Sequence, residues 1–260
     1  MRFATWNVNS VRQRLGLVTD WLSRNSPDLL LLQEIKCETA QFPAGAFQEA
    51  GYDSVVVGQK SYNGVAILSR VPATLRHRHL PGLEAPEGGE HHARYVEIEA
   101  GGIVFGNLYL PNGNSGGADG YQAKLRWMDA LIAHARDMLA SDTDFVLAGD
   151  YNVAPTDEDF ATGALSADDA LVRPETRERF RALQWLGLTD AVRAVTPRGP
   201  VYTFWDYQAG CWPRDRGLRI DHAMLSPRVA ERLLSAVPDR MERDKPQPSD
   251  HVPVVVTLAD

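Results

Sequence analysis

Residues 28–36 read DLLLLQEIK. Four successive leucines, bounded by Asp28 and by Gln33-Glu34, make a run too short for a typical helix. A strand apolar at every position has both faces buried, so a layer must pack on each side of it. Strand candidates recur around this one, over residues 3–8, 54–58, 65–69, 95–98, 104–110, 145–148, 220–225 and 252–258. Helical spacing of apolar residues runs over 11–23, with Asn9 or Ser10 available as N-cap, and over 121–139. A third helix is expected over 174–185, opening on Pro174, and a short fourth over 228–234. No Pro-, Gly- or Ser-rich linker divides the chain, and no fixed-period repeat is present. The order of elements predicts one α/β domain, residues 1–260, built of two packed sheets covered by helices.

Composition narrows the function. The chain has 260 residues, with 44% hydrophobic and 23% charged residues, ordinary for a globular protein. No stretch reaches the ~18 apolar residues of a membrane helix, and the N-terminus runs straight into a strand pattern with no secretory signal. Cys37 and Cys211 are the two cysteines. They have no CxxC spacing, which suggests a reducing, cytoplasmic setting and no thiolate zinc site. The formal net charge is −7. Bulk charge therefore does not suggest a nucleic-acid partner, and an anionic ligand would need a local basic face or a metal.

The polar ends of the apolar runs carry the chemistry. TWNVN places Asn7 and Asn9 after a strand start. DLLLLQEIK ends on Glu34. FGNLYLPNGN ends with Tyr109 and Pro111. FVLAGDYNVAP ends with Asp150 and Asn152. GLRIDHAML holds Asp221-His222, and PSDHVPVVV holds Asp250-His251 before a β-branched run. Each of these alone reads equally well as a cap or turn residue. Their joint occurrence reads differently, because converging buried carboxylates repel unless a cation joins them. Oxygen ligands select hard divalent ions such as Mg²⁺ or Mn²⁺. With a nearby imidazole and amides, such a centre suits hydrolysis of a phosphate ester. A Ser249-His251-Asp250 triad is discounted, since adjacent residues do not form that geometry and no GxSxG is present. His77, His79, His91 and His92 read as solvent-facing imidazoles rather than zinc ligands. His222, next to Asp221 on a strand, is expected on the opposite face from it.

The blocks WNVN, LLLQEIK, YNGVAIL, LYLPNGN, LAGDYNVAPTD, TFWDY, DRGLRIDHAML and PSDHVPV resemble those of exonuclease III, the bacterial branch of the AP endonucleases in the endonuclease/exonuclease/phosphatase superfamily. They lie in the family's order along nearly the whole chain. The resemblance implies a four-layered α/β sandwich, two packed mixed β-sheets flanked by helices, with the site at one end of the sheets. It also implies a set of roles. Glu34 would be the principal metal ligand, with Asn7 beside it and Asp250 on the metal side, and Asp150, Asn152 and His251 at the same centre. Asp150 would activate the attacking water, with Asn152 as a donor. His251, oriented by Asp221, would contact the phosphate, as would Tyr109. Phe204, Trp205 and Leu218 match a pocket for a base-free sugar. Lys36, Asn63, Asn112 and Lys124 are candidates for substrate contacts, among other basic and polar residues including Arg219. The implied activity is Mg²⁺-dependent cleavage of duplex DNA 5′ to abasic sites, with 3′-end trimming and 3′→5′ exonuclease activity, by a cytoplasmic monomer with no membrane contact. Mn²⁺ would substitute for Mg²⁺. The Gly-rich loop 111–120 and the segment 161–173 depart from the family pattern and leave the balance of these activities open. Two rivals remain at this point: a lipid or inositol phosphate hydrolase on the same scaffold, and a DNA-binding protein on an inactive fold.

Overall fold

The structure is a computed structural model and describes residues 1–85 and 89–260. Two six-stranded mixed sheets stack face to face. The first contains β1 (Arg2–Asn7), β2 (Leu29–Gln33), β3 (Asp53–Val57), β4 (Val65–Ser69), β11 (Leu233–Pro238) and β12 (Val254–Leu258), in the order β11-β12-β1-β2-β4-β3. The second contains β5 (Ala73–His77), β6 (Tyr95–Ala100), β7 (Ile103–Tyr109), β8 (Phe145–Asp150), β9 (Thr189–Asp190) and β10 (Asp221–Leu225), in the order β5-β6-β7-β8-β10-β9. Each sheet has one parallel pair at its centre, β1/β2 and β7/β8, and antiparallel partners outside it.

The leucine run explains the layering. All five residues of β2 are buried. Leu29 and Leu31 point between the sheets, where they meet Phe3, Val65, Ile67, Val96, Phe105 and Val146. Leu30 and Leu32 point the other way, onto Val18, Trp21 and Leu22 of α1 (Leu15–Asn25) and Phe47 of α2 (Ala44–Glu49). Full burial of each such side chain contributes about 1.5–3 kcal/mol. On the far side, Leu147 and Phe145 of β8 pack under Trp127, Met128 and Leu131 of α3 (Gly117–Ala140) and Phe180 and Leu183 of α4 (Pro174–Trp185). Two short helices, α5 (Ala191–Val195) and α6 (Pro227–Glu231), complete the set. The result is the four-layered sandwich: helices, sheet, sheet, helices. No helix among the described residues is long and apolar enough to cross a membrane.

The differences from the sequence reading have local causes. Helix α1 starts at Leu15, four residues later than its apolar spacing predicts. Asn9 and Ser10 do not cap it. The Ser10 and Val11 N–H groups donate to the Glu34 and Ile35 carbonyls, so this segment continues the β1/β2 pairing past the strand ends. The predicted helix over 228–234 ends at Glu231, and the chain enters edge strand β11. Strands β5 and β11 lie at sheet edges; β5 is mostly exposed and β11 has one fully buried residue, so neither is buried on both faces as the central strands are.

Candidate active site

Ligands bind beyond the carboxyl ends of parallel strands in α/β sheets, and here both parallel pairs end at the same rim. Asn7 and Gln33 stand opposite each other at the ends of β1 and β2. Tyr109 and Asp150 do the same at the ends of β7 and β8. Asp221, which opens antiparallel β10, is registered against Asp150. His251 comes from the loop before β12. Among the described residues, Asp150, Asp221 and His251 form the one group of acidic, thiol or imidazole side chains whose donor atoms lie within 4.8 Å of one another.

A chain of polar contacts ties the remaining acids to this group. Asn7 Nδ2 donates to Glu34 Oε1 at 2.9 Å and to Asp150 Oδ2 at 3.0 Å. Its own Oδ1 accepts from the Asn9 N–H. In this orientation Asn7 clamps two carboxylates through its amide nitrogen, and its oxygen is turned away from them. Glu34 Oε2 meets Lys36 Nζ at 2.8 Å, and Lys36 also donates to Asn9 Oδ1 at 2.5 Å. Asn9 Nδ2 in turn donates to Asp250 Oδ1 at 3.2 Å. At the other end, His251 Nδ1 lies 2.8 Å from Asp221 Oδ2, and its Nε2 lies 3.8 Å from Asp150 Oδ2. Thr203 Oγ1 donates to the same Asp221 oxygen at 2.6 Å, leaving Asp221 Oδ1 buried with no partner.

The charges set the protonation states. Burial alone would strip the proton from His251, but the Asp221 and Asp150 carboxylates outweigh it and carry its pKa up to about 10. His251 is therefore an imidazolium at neutral pH. Burial, with help from the Asp221 charge, pushes Asp150 in the opposite direction, above the ordinary carboxylate range. Burial also works against the Glu34 charge, yet the hydrogen bonds from Asn7 and Lys36 hold its carboxyl below the usual value. Tyr109 is raised by burial and by the Glu34 and Asp150 charges, so its hydroxyl stays protonated.

The backbone marks the same place. Asn9, Ser10, Glu34, Lys36, Asn63 and Asn152 all have φ between 44° and 88°. Left-handed backbone costs a non-glycine residue roughly 1–2 kcal/mol. Such outliers gather where side-chain direction matters more than local comfort. Sequence pattern carries no sign of this for Glu34 and Lys36.

The substrate candidates divide. Lys36, Asn63 and Asn112 line a cavity of about 440 Å³ together with Glu34 and Tyr109. Asn112 Nδ2 donates to Asn152 Oδ1, and Asn152 Nδ2 donates to the Leu110 carbonyl, so this pair braces the rim. Phe204 packs edge-on to His251, with ring centres 4.9 Å apart, and joins Leu218, Leu171 and Ile220 in an apolar patch beside the acids. Trp205 does not belong to that patch. It is fully buried with Tyr202 and Val252, and its indole N–H donates to Asp215, because successive residues point to opposite sides. Lys124 is also removed from substrate. Its side chain is buried, and Nζ donates to the Asn112 and Asn152 carbonyls at 2.9 and 2.6 Å. Burial pulls its pKa down to about 7 against the Asp150 and Asp169 charges. Lys124 thus ties two site loops together from behind. Arg219 is likewise buried, between Asp159 and Asp190.

The sequence marked Asn9 only as a polar strand end and gave Thr203 and Arg94 no role. Asn9 links Lys36 to Asp250, Thr203 holds Asp221, and the Arg94 guanidinium lies 4.5 Å over the Tyr109 ring. Asn9 was readable as a cap, and Thr203 and Arg94 carry no local signal.

The chain is similar to known proteins along nearly its whole length. Exodeoxyribonuclease III of Haemophilus influenzae is 28% identical over 98% of this chain and 98% of its own length. The solved structure of a 3′ phosphatase from Neisseria bound to a product DNA hairpin is 37% identical over the whole of both chains, with a TM-score of 0.93. An AP endonuclease from Archaeoglobus fulgidus is 33% identical over 99% of each chain, with a TM-score of 0.92. Residues 4–251, from within β1 to the imidazole of the site, match the Endonuclease/Exonuclease/phosphatase family, and the chain belongs to it.

Proposed function

We propose that this chain is a divalent-metal-dependent DNA-repair nuclease that cleaves the backbone 5′ to an abasic site, leaving a 3′-hydroxyl. Removal of 3′ blocking groups and 3′→5′ exonucleolytic trimming belong to the same reading, which draws support from the exodeoxyribonuclease III, 3′ phosphatase and AP endonuclease names of its relatives. The carrying observation is the pairing of a buried, proton-seeking Asp150 with a protonated His251, 3.8 Å apart, beside the apolar Phe204–Leu218 patch. A hydroxyl-rich inositol phosphate gains little from such a patch at the acids, whereas a base-free deoxyribose fits against it. The cytoplasmic setting expected from the cysteines and the monomeric state implied by the resemblance stay part of this proposal.

The donor set fits a hard cation. Acid is in surplus at the rim, its oxygens converge on one side, and Asp221 Oδ1 has no protein partner. Glu34 and Asp150, with Asp250 behind them, would hold it, and Mg²⁺ is the ion this oxygen-rich set suits best. When bound, the ion neutralises phosphate charge and lowers the cost of the pentavalent transition state.

The chain's own groups supply the rest. Asp150 accepts the proton of the attacking water, as its raised affinity for protons allows. His251, held by Asp221 through Nδ1, presents its Nε2–H to a non-bridging phosphate oxygen. The Tyr109 hydroxyl donates to the same phosphate. Water adds to phosphorus, the P–O3′ bond breaks, and the departing oxygen takes a proton to become the 3′-hydroxyl. Labelled duplexes carrying an abasic site, a recessed 3′ end or a 3′-phosphate, each run with and without EDTA, test the reading. Cleavage 5′ to the abasic site that EDTA abolishes supports it, and EDTA-resistant cleavage or an inert protein overturns it.

A further inference from the structure

A second cavity, about 650 Å³, opens beside the catalytic groove and shares His92, Arg94 and Pro111 with it. That volume lies within the range of small-molecule sites. Leu80, Tyr95 and Trp127, all almost fully buried, form its apolar floor. Its rim carries both signs, with Glu84 lining the same cavity as the guanidinium groups of Arg94 and Arg126. The imidazoles of His79 and His91 stack there, with ring centres 4.2 Å apart and planes within 5°. Arg94 and Arg126 line it as well, and among the described residues neither has a carboxylate within ion-pair distance. The acid on that rim from α3, Asp129, is neutralised by a two-pronged contact with Arg179 at 2.7 and 3.1 Å. Apolar walls, with two guanidinium groups at the mouth that no carboxylate among the described residues pairs, suit a ligand that is apolar at one end and anionic at the other.

Arg94 connects this cavity to the reaction. Its guanidinium covers the Tyr109 ring, and Nη1 donates to the Tyr109 carbonyl at 3.2 Å. An anion drawn to Arg94 from the cavity side would therefore be felt at the tyrosine that faces the substrate phosphate.

We propose that this cavity binds a nucleoside 5′-monophosphate unit, with the base against Trp127 and Leu80 and the phosphate at Arg94 and Arg126. The proposal rests on the nuclease reading above, since exonucleolytic cleavage releases such a unit. The unit could be the free product or the unpaired terminal nucleotide of a bound strand, and the experiment separates the two.

The probe is dAMP, titrated calorimetrically in EDTA so that metal-assisted binding at the acids is removed. The variants are Arg126→Ala, which removes one exposed cation, and Ala130→Trp, which fills the cavity from α3. Deoxyribose 5-phosphate serves as the baseless control. One-to-one binding of dAMP that weakens about tenfold or more in Arg126→Ala is expected, in line with one charge-assisted contact. Ala130→Trp should abolish it, and the control ligand should bind far more weakly than dAMP. Both variants should cut an abasic duplex at near the parent rate, which also confirms that they are folded. If the parent ignores dAMP but either variant raises KM selectively for substrates with an unpaired 3′-terminal nucleotide, the cavity takes the strand end. Binding of dAMP that both variants leave unchanged overturns the proposal, as does the absence of both effects. Loss of cleavage with dAMP binding intact would instead sink the nuclease reading and leave the cavity assignment standing.

Discussion

The chain contains two Asp-His dipeptides, and their surroundings are opposites. In Asp250-His251 the imidazole faces Asp221 and Asp150, and its pKa is carried up to about 10. In Asp221-His222 the imidazole is buried on the other face of β10. Its Nε2–H donates to the Val153 carbonyl at 2.9 Å, and its Nδ1 accepts from Arg219 at 3.0 Å. Burial and the Arg219 charge push His222 down to about 4, so it is neutral. The charges around it cancel: Arg219 and Arg193 balance Asp159 and Asp190. Around His251 they do not. Among the described residues, Glu34, Asp150, Asp221 and Asp250 face only Lys36 and His251 itself as cations. Two buried polar clusters of similar make-up therefore have different purposes. The closed one holds the β8–β10 region together, and the open one keeps a surplus of negative charge that a cation and a phosphate can complete.

That contrast can be broken most directly at Asp150. Asp150→Asn keeps the shape and removes the proton acceptor, so kcat on an abasic duplex should fall about 10²–10⁴-fold. Thermal stability should hold or rise, because an imperfectly paired buried charge is gone. A variant that cuts at the parent rate would remove the open cluster from catalysis. Arg219→Met attacks the closed cluster instead. It strands Asp190 and leaves Asp159 with Arg193 alone, and urea titration should show a loss of about 3–5 kcal/mol in unfolding free energy. Cleavage per folded molecule should change far less than in Asp150→Asn.

The pH dependence of stability gives a third comparison. His222 is neutral in the fold with a pKa near 4, below its ordinary value of 6.5. Between those values the unfolded chain binds a proton that the native chain does not. Stability from this group is complete above pH 6.5 and drains away as pH falls towards 4, by about 3 kcal/mol at 1.36 kcal/mol per unit. Denaturant midpoints measured at several pH values should fall more steeply in the parent than in His222→Gln. Equal slopes would show that this imidazole is not held neutral. The smallest effect is expected at Phe204→Ala, which should reduce the preference for abasic over intact duplex by roughly tenfold, read from the ratio of kcat/KM values.

Some of this was legible before any coordinates existed. The leucines of β2 demanded two flanking layers, and the acids and amides at strand ends marked the rim where the site lies. Those signals are local: side-chain chemistry and period survive in a linear string. Strand β11, the late start of α1 and the burial of Lys124 were not legible, because each depends on what lies across from it. Lys124 has the same side chain as any surface lysine, and only the carbonyls of Asn112 and Asn152 above it make it a tie between loops.

The sequence by itself determined the alternation of buried strands and amphipathic helices, and the set of residues able to hold a hard cation and move a proton. The tertiary structure alone decided which of two similar Asp-His pairs is charged, and which of Phe204 and Trp205 meets the acids. Protonation and exposure are set by distances to groups tens or hundreds of residues away, and a charge in a low-dielectric interior responds to every one of them.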